Sequence, residues 1–134
     1  MTKKKIFLSG PMRGVPREES LGWRLKAIEH LSDKFEVLHA FRMREEKETF
    51  TDPKAAVVRD LNDIKNTDVL LVCDTFPDAS MIGTSMEIFY AYEQKIPVIV
   101  FGNAHENDYW LNYHSHLRVT NLESACDVIN KMFS

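Results

Sequence analysis

The sequence predicts an α/β fold: a parallel sheet of four to five strands with helices on both faces. Two observations carry this. Strand-sized apolar runs alternate with segments of helical period along the chain. The run Asp68–Cys73 (DVLLVC) is apolar without polar alternation, as expected of a strand covered on both sides. With 134 residues the chain fits one domain, 1–134, and at this length folding buries roughly two-thirds of the unfolded surface.

Taken in order, Lys4–Ser9 (KKIFLS) reads as a buried strand, closed by the turn residues Gly10-Pro11-Met12-Arg13-Gly14. A helix follows, with Leu21, Leu25, Ile28 and Leu31 expected on its inward stripe. Phe35–Ala40 (FEVLHA) is the second strand. Asp52 and Pro53 suit an N-cap and a first helical position, opening a helix to Lys65 with Val57, Leu61 and Ile64 inward. After the third strand, Asp68–Cys73, come a helix over Thr84–Gln94 and a fourth strand over Ile96–Gly102 (IPVIVFG). A last helix spans Leu122–Phe133, its stripe formed by Leu122, Cys126, Ile129 and either Met132 or Phe133.

Composition excludes several classes of function. Apolar residues make up 44% and charged residues 28%, the proportions of a soluble globular chain. A net charge of −3 gives no basic face, so no nucleic-acid partner is expected. No apolar run approaches the ~18 residues that span a bilayer, so no membrane partner is expected either. The basic start, Met1 to Lys5, is followed only by Ile6-Phe7-Leu8, too short for a secretory signal. Cys73 and Cys126 lie in apolar contexts, which favours reduced thiols and a cytoplasmic location.

Ligands of parallel sheets sit beyond the carboxyl ends of the strands, which directs attention to Ser9–Gly14, His39–Arg44, Asp74–Gly83 and Gly102–His105. The first of these segments could hold an anion through backbone N–H groups and the Arg13 guanidinium, or be a plain turn. No G-x-G-x-x-G and no P-loop lysine is present, which counts against dinucleotides and nucleoside triphosphates. Glu87 has two readings. In Thr84-x-x-Glu87 it matches a capping box, and at the start of a helix beside the sheet it also suits a nucleophile. Asp60 stands mid-helix, where aspartate is locally unfavourable. His114 and His116 alternate, but no third ligand accompanies them, so solvated surface residues are expected and no metal. Phe89, Tyr90 and Tyr92 suit the core or a subunit contact.

Three ordered motifs resemble the nucleoside 2-deoxyribosyltransferase superfamily. They are Ser9-Gly10-Pro11-Met12-Arg13-Gly14 after the first strand, Arg59-Asp60-Leu61-Asn62-Asp63-Ile64 in the helix, and Gly83-Thr84-Ser85-Met86-Glu87-Ile88. The resemblance runs from Ile6 to about Gly102. It implies a flavodoxin-like sheet and cleavage of an N-glycosidic bond, with Glu87 attacking C1′ and Asp60 assisting the departing base. No cofactor is implied, and the family usually forms dimers or larger homo-oligomers. Phe7-Leu8-Ser9-Gly10-Pro11-Met12-Arg13 is most similar to the CMP and 5-hydroxymethyl-CMP hydrolases within it, and His39-Ala40-Phe41-Arg42 echoes their N-A-H-R. The implied substrate is a pyrimidine nucleoside 5′-monophosphate, bound by Phe7, Ser9, Gly10, Met12, Arg13, Gly14, His39, Arg42, Gly83 and one of Ser80 and Ser85. Those serines enter because Met81 stands where such hydrolases place a phosphate-binding serine. Phe7 replaces the tyrosine of deoxyribose-specific relatives and would leave room for a ribose. The rival within the family is base exchange on deoxynucleosides. The rival outside it, a receiver-like signalling module, needs an acidic pair where this chain has Ser9-Gly10.

Overall fold

Short β-branched and aromatic runs, separated by Gly, Pro and Asp, build five strands: β1 (Lys4–Ser9), β2 (Phe35–His39), β3 (Val69–Cys73), β4 (Val98–Phe101) and β5 (Leu117–Val119). The computed structural model describes residues 2–41 and 53–134. The strands lie in the order β2-β1-β3-β4-β5, and every neighbouring pair is parallel. Between them run α1 (Arg17–Leu31), α2 (Pro53–Lys65), α3 (Ile82–Glu93) and α4 (Tyr109–Tyr113), and α5 (Leu122–Met132) follows β5. This is the flavodoxin-like strand order.

The period of two along a strand divides the core into two layers. Ile6, Leu8, Leu71, Cys73 and Phe101 pack against Trp23, Ala27 and Leu31 of α1 and Ala125, Cys126 and Ile129 of α5. Phe7, Leu70, Val72, Val98 and Val100 pack against Ile64 of α2, Ile88 and Ala91 of α3 and Leu111 of α4. The chain leaves β1 for β2 on the first face and reaches β3 through α2 on the second. Strand order therefore reverses between β1 and β3, which opens a crevice at their carboxyl ends.

Several elements differ from the sequence expectation, each for a physical reason. The inward stripe of α1 is Ser20, Trp23, Arg24, Ala27 and Leu31, while Leu25 is 51% exposed. Hydrogen bonds inside the protein engage the Ser20 hydroxyl and both terminal nitrogens of Arg24, so polar side chains occupy positions that hydrophobicity alone assigns to leucine. In α2 the stripe is Ala56, Asp60 and Ile64, Leu61 is half-buried, and Val57 is 56% exposed. Asp52 lies outside the described residues. The strands and α3 match the expected segments with ends shifted by one or two residues. Two elements, α4 and β5, were not expected: each is too short for a periodic signal, and β5 carries the polar Arg118. At the C-terminus Phe133 faces inward, 5.8 Å edge-on to Phe35, while Met132 is 43% exposed.

Both cysteines are free and buried. Burial pushes the Cys73 thiol up and takes that of Cys126 to about 11. His114 is not the surface residue expected: it is 8% exposed, its Nδ1 is 2.7 Å from the Trp110 carbonyl, and Phe89 and Tyr92 surround it. His116 is engaged elsewhere, its Nδ1 accepting from the Val98 N–H at 3.0 Å. No described helix is long and apolar enough to cross a membrane.

Candidate active site

β1 ends at Ser9, which is 1% exposed and stands beside Val72 of β3. Alternation from Phe7 turns Ser9 to the face covered by α2 and α3. There its Oγ donates a 2.6 Å hydrogen bond to Oε1 of Glu87, on the second turn of α3. This contact, with the start of α3, bears on the capping reading of Glu87. The N-cap of α3 is Met81, with no side-chain cap bond, and Thr84 lies buried inside the helix. The capping box is therefore absent, and the carboxylate turns to the carboxyl end of β1.

Burial pushes the Glu87 carboxyl up, to about 7. The Ser9 hydrogen bond and the positive charge of Arg24 oppose that rise, and the negative charge of Asp60 adds to it. Asp60 reaches the same place from α2, where it is 9% exposed and lies 3.1 Å from the Arg59 guanidinium. Arg59 in turn donates to the Ala40 carbonyl just beyond β2. Carboxylates from two helices are thus gathered at the crevice between β1 and β3.

The loop after β1 borders them. Gly10 is required by packing: a Cβ there would stand 2.8 Å from the Trp23 ring and 3.1 Å from the Cys73 Cβ. Gly14 has φ +88°, a left-handed conformation that glycine adopts without strain. Met12 is half-buried, and Arg13 and Gly14 are exposed. The Arg13 carbonyl accepts from the Ser80 N–H at 3.2 Å, so this loop touches the one that leads into α3. Ser80 is half-buried, and Gly83 and Ser85 are exposed at the start of α3. His39 is buried at the end of β2, and its Nδ1 accepts from the Phe41 N–H at 3.1 Å. Phe7 is fully enclosed in the core on Ser9's face of β1. Arg42 lies outside the described residues.

Two charged constellations escaped the sequence analysis. The first is Arg24, which is 1% exposed. It donates to the Gly10 carbonyl at 2.9 Å and to the carbonyl and Oγ of Ser20 at 2.7 and 2.9 Å. Its guanidinium lies 4.6 Å from the centre of the Trp23 ring and 5.2 Å from that of Phe41. The second is Asp74, just past β3 and fully buried. Its carboxylate lies 2.6 Å from His105 Nδ1, accepts from the His105 N–H at 3.0 Å, and accepts from Arg118 of β5 at 2.9 Å. Burial alone would raise this carboxyl, but the hydrogen bonds from His105 and Arg118 outweigh it and hold it below the usual value. Asp74 opens one of the segments at the carboxyl ends of the strands, but its partners come from a loop and from a strand too short to recognise.

No protein-family profile matches the sequence, and no curated protein matches it. Solved structures do. A 2-deoxyribosyltransferase from Bacillus psychrosaccharolyticus superposes with a TM-score of 0.74 at 21% identity, over 92% of this chain and 90% of its own. The two share a fold. A CMP N-glycosidase from Clostridium botulinum matches at 0.65 and 18% identity, over 97% of this chain and all (100%) of its own. The molybdenum cofactor binding protein of Rippkaea orientalis matches at 0.66 and 15% identity, over 100% of this chain and 99% of its own. One architecture thus serves different functions, and the reaction has to be read from the site.

Proposed function

We propose that this chain is an N-glycosidase of the nucleoside 2-deoxyribosyltransferase superfamily. It hydrolyses a pyrimidine nucleoside 5′-monophosphate to free base and sugar 5-phosphate. The observation that carries the reading is the Glu87 carboxylate, released from any capping role and held by Ser9 beside Asp60 in the crevice between β1 and β3.

Cleavage of a glycosidic bond passes through an oxocarbenium-like state that a nearby carboxylate traps as a glycosyl ester. Ionised Glu87 attacks C1′, the C1′–N bond breaks with its electron pair passing to the base, and Asp60 relays a proton from solvent to that base. Water then hydrolyses the ester, restoring Glu87 and releasing the sugar. The Ser9 hydrogen bond fixes which carboxylate oxygen is engaged and leaves the other for C1′. Arg13, the backbone N–H groups of its loop and Ser80 receive the 5′-phosphate, with Ser85 and Gly83 at the rim. Met12 and His39 flank the base, and Phe7, without a hydroxyl, leaves space for a ribose. No metal or cofactor takes part in these steps.

We also assign the chain a homo-oligomeric state. The outward faces of α3 and α4 expose Ile82, Met86 and Phe89, and Tyr109, Trp110 and Tyr113, an apolar surface suited to a second copy.

The test is incubation with CMP, UMP, dCMP and the matching nucleosides, with and without an acceptor base, following base release by chromatography. Free base and sugar phosphate from a monophosphate alone are expected. Turnover only of nucleosides with an acceptor base would make the chain a transferase. No turnover of any member would overturn the N-glycosidase reading.

A further inference from the structure

Arg24 is a charge only 1% exposed, on the inward stripe of α1, and the steps above do not use it. Burying a guanidinium is costly unless partners compensate. Here compensation is incomplete: Arg24 Nε and the neighbouring Trp23 Nε1 are both buried without a hydrogen-bond partner among the described residues. A methionine or leucine would fill the layer between α1 and the sheet without that cost. The position is therefore explained by what the charge does rather than by what it contributes to the core.

Three contacts say what that is. The fork of Arg24 reaches the Gly10 carbonyl, one residue past the Ser9 hydroxyl that orients Glu87. The Ser20 hydroxyl, on which Arg24 also rests, donates to the Pro11 carbonyl at 3.0 Å. The Trp23 and Phe41 rings fix the guanidinium plane, and Phe41 joins it to the end of β2. Arg24 and Ser20 together hold two consecutive carbonyls of the loop that bounds the crevice.

We propose that Arg24 is a positioning residue for the reaction, anchoring the Ser9–Pro11 turn and setting a fixed positive charge behind the Glu87 and Asp60 carboxylates. This rests on the glycosidase reading. The charged groups facing Glu87 are Asp60 with its partner Arg59 from α2 and Arg24 from α1, and the Cys73 thiol lies next to Arg24. Arg24 therefore opposes the like-charge repulsion that Asp60 imposes on ionised Glu87.

The test separates this role from simple packing and from the identity of the substrate. The Glu87 carboxyl is titrated by carbon-13 NMR in the wild type, Arg24→Gln and Arg24→Lys, without substrate, and each variant's fold is checked by circular dichroism. In Arg24→Gln the midpoint should rise by about half a pH unit or more. With CMP, kcat should fall ~10-fold or more with KM little changed, and the acid limb of the pH profile should follow the midpoint. Arg24→Lys, which keeps a charge without the fork, should give an intermediate midpoint and a kcat still below wild type. An unmoved Glu87 midpoint in folded Arg24→Gln would overturn the proposal. If Arg24→Gln does not fold, wild-type kcat and midpoint in Arg24→Lys would overturn it instead. Because the titration needs no turnover, it can succeed even if the glycosidase reading fails.

Discussion

Glu87 combines two demands that conflict at a single side chain. In the proposed mechanism it is ionised to attack, yet burial raises its carboxyl to about 7 from an ordinary 4.5. Activity should therefore climb with pH through an acid limb near 7, read as kcat/KM against pH. The stability consequence runs the other way. A raised folded-state value means that the folded protein binds the proton more tightly. Its stabilising contribution is complete below about 4.5 and disappears as pH rises through 7. Glu87→Gln should lose several orders of magnitude in kcat. The same variant should be more stable than wild type by ~2–3 kcal/mol at pH 8 in urea unfolding, with the difference closing towards pH 4.5. Arg13→Ala should lower kcat/KM by ~1.5–3 kcal/mol, the worth of a charge-assisted bond to phosphate. Equal loss with nucleoside and nucleotide would show that Arg13 does not meet the phosphate. At this scale Glu87 was legible as a motif, but not its direction. Thr84-x-x-Glu87 spells both a cap and a nucleophile, and the start of α3 at Ile82 removes the cap. Arg24 was illegible, since an arginine on a helix reads as solvated until Trp23, Phe41 and Gly10 converge on it from three elements.

The elements were read best where burial is symmetrical. β3, enclosed on both faces, matches its expected span to within one residue, because a continuous apolar run admits few other structures. The helices were read worst in their rotation, for Asp60 and Arg24 turn inward against hydrophobicity. β5 was missed although it completes the sheet. Its Arg118 ties three strands together: it donates to Asp74 past β3 at 2.9 Å and to Gly102 past β4 at 2.7 Å. Asp74→Asn should cost ~3 kcal/mol at neutral pH, because it leaves Arg118 without its buried anion. The sign with pH is opposite to that of Glu87. The Asp74 carboxyl is held low, so its contribution exists above the ordinary carboxylate range and is lost as pH falls through the folded-state value. The wild type should lose its advantage over Asp74→Asn in strong acid, as measured by chemical denaturation at stepped pH. A gap that stays constant down to pH 2 would refute the clasp.

For the molecule as a whole, the alternation of strands and helices specified a parallel sheet. The motifs then drew attention to the carboxyl ends of β1 and β3, between which the strand order reverses. Exposed aromatic residues on α3 and α4 are equally compatible in sequence with a core and with a contact between subunits. If the face is a subunit contact, wild type should sediment as a dimer or larger, and Phe89→Asp with Trp110→Asp should sediment as a monomer that remains folded. A monomeric wild type at tens of micromolar would leave the face unexplained.

The thiols have a practical consequence. The sequence holds two cysteines, both buried, and burial keeps each protonated at neutral pH. Maleimides and similar reagents react with exposed thiolates, so the natural chain should remain almost unlabelled while it is folded. A cysteine introduced at the exposed Glu106, in the loop after β4, would then accept a fluorophore selectively without removal of either native cysteine. The same property turns unlabelled protein into a gauge of its own integrity: the uptake of reagent by Cys73 and Cys126 would count how often the molecule opens.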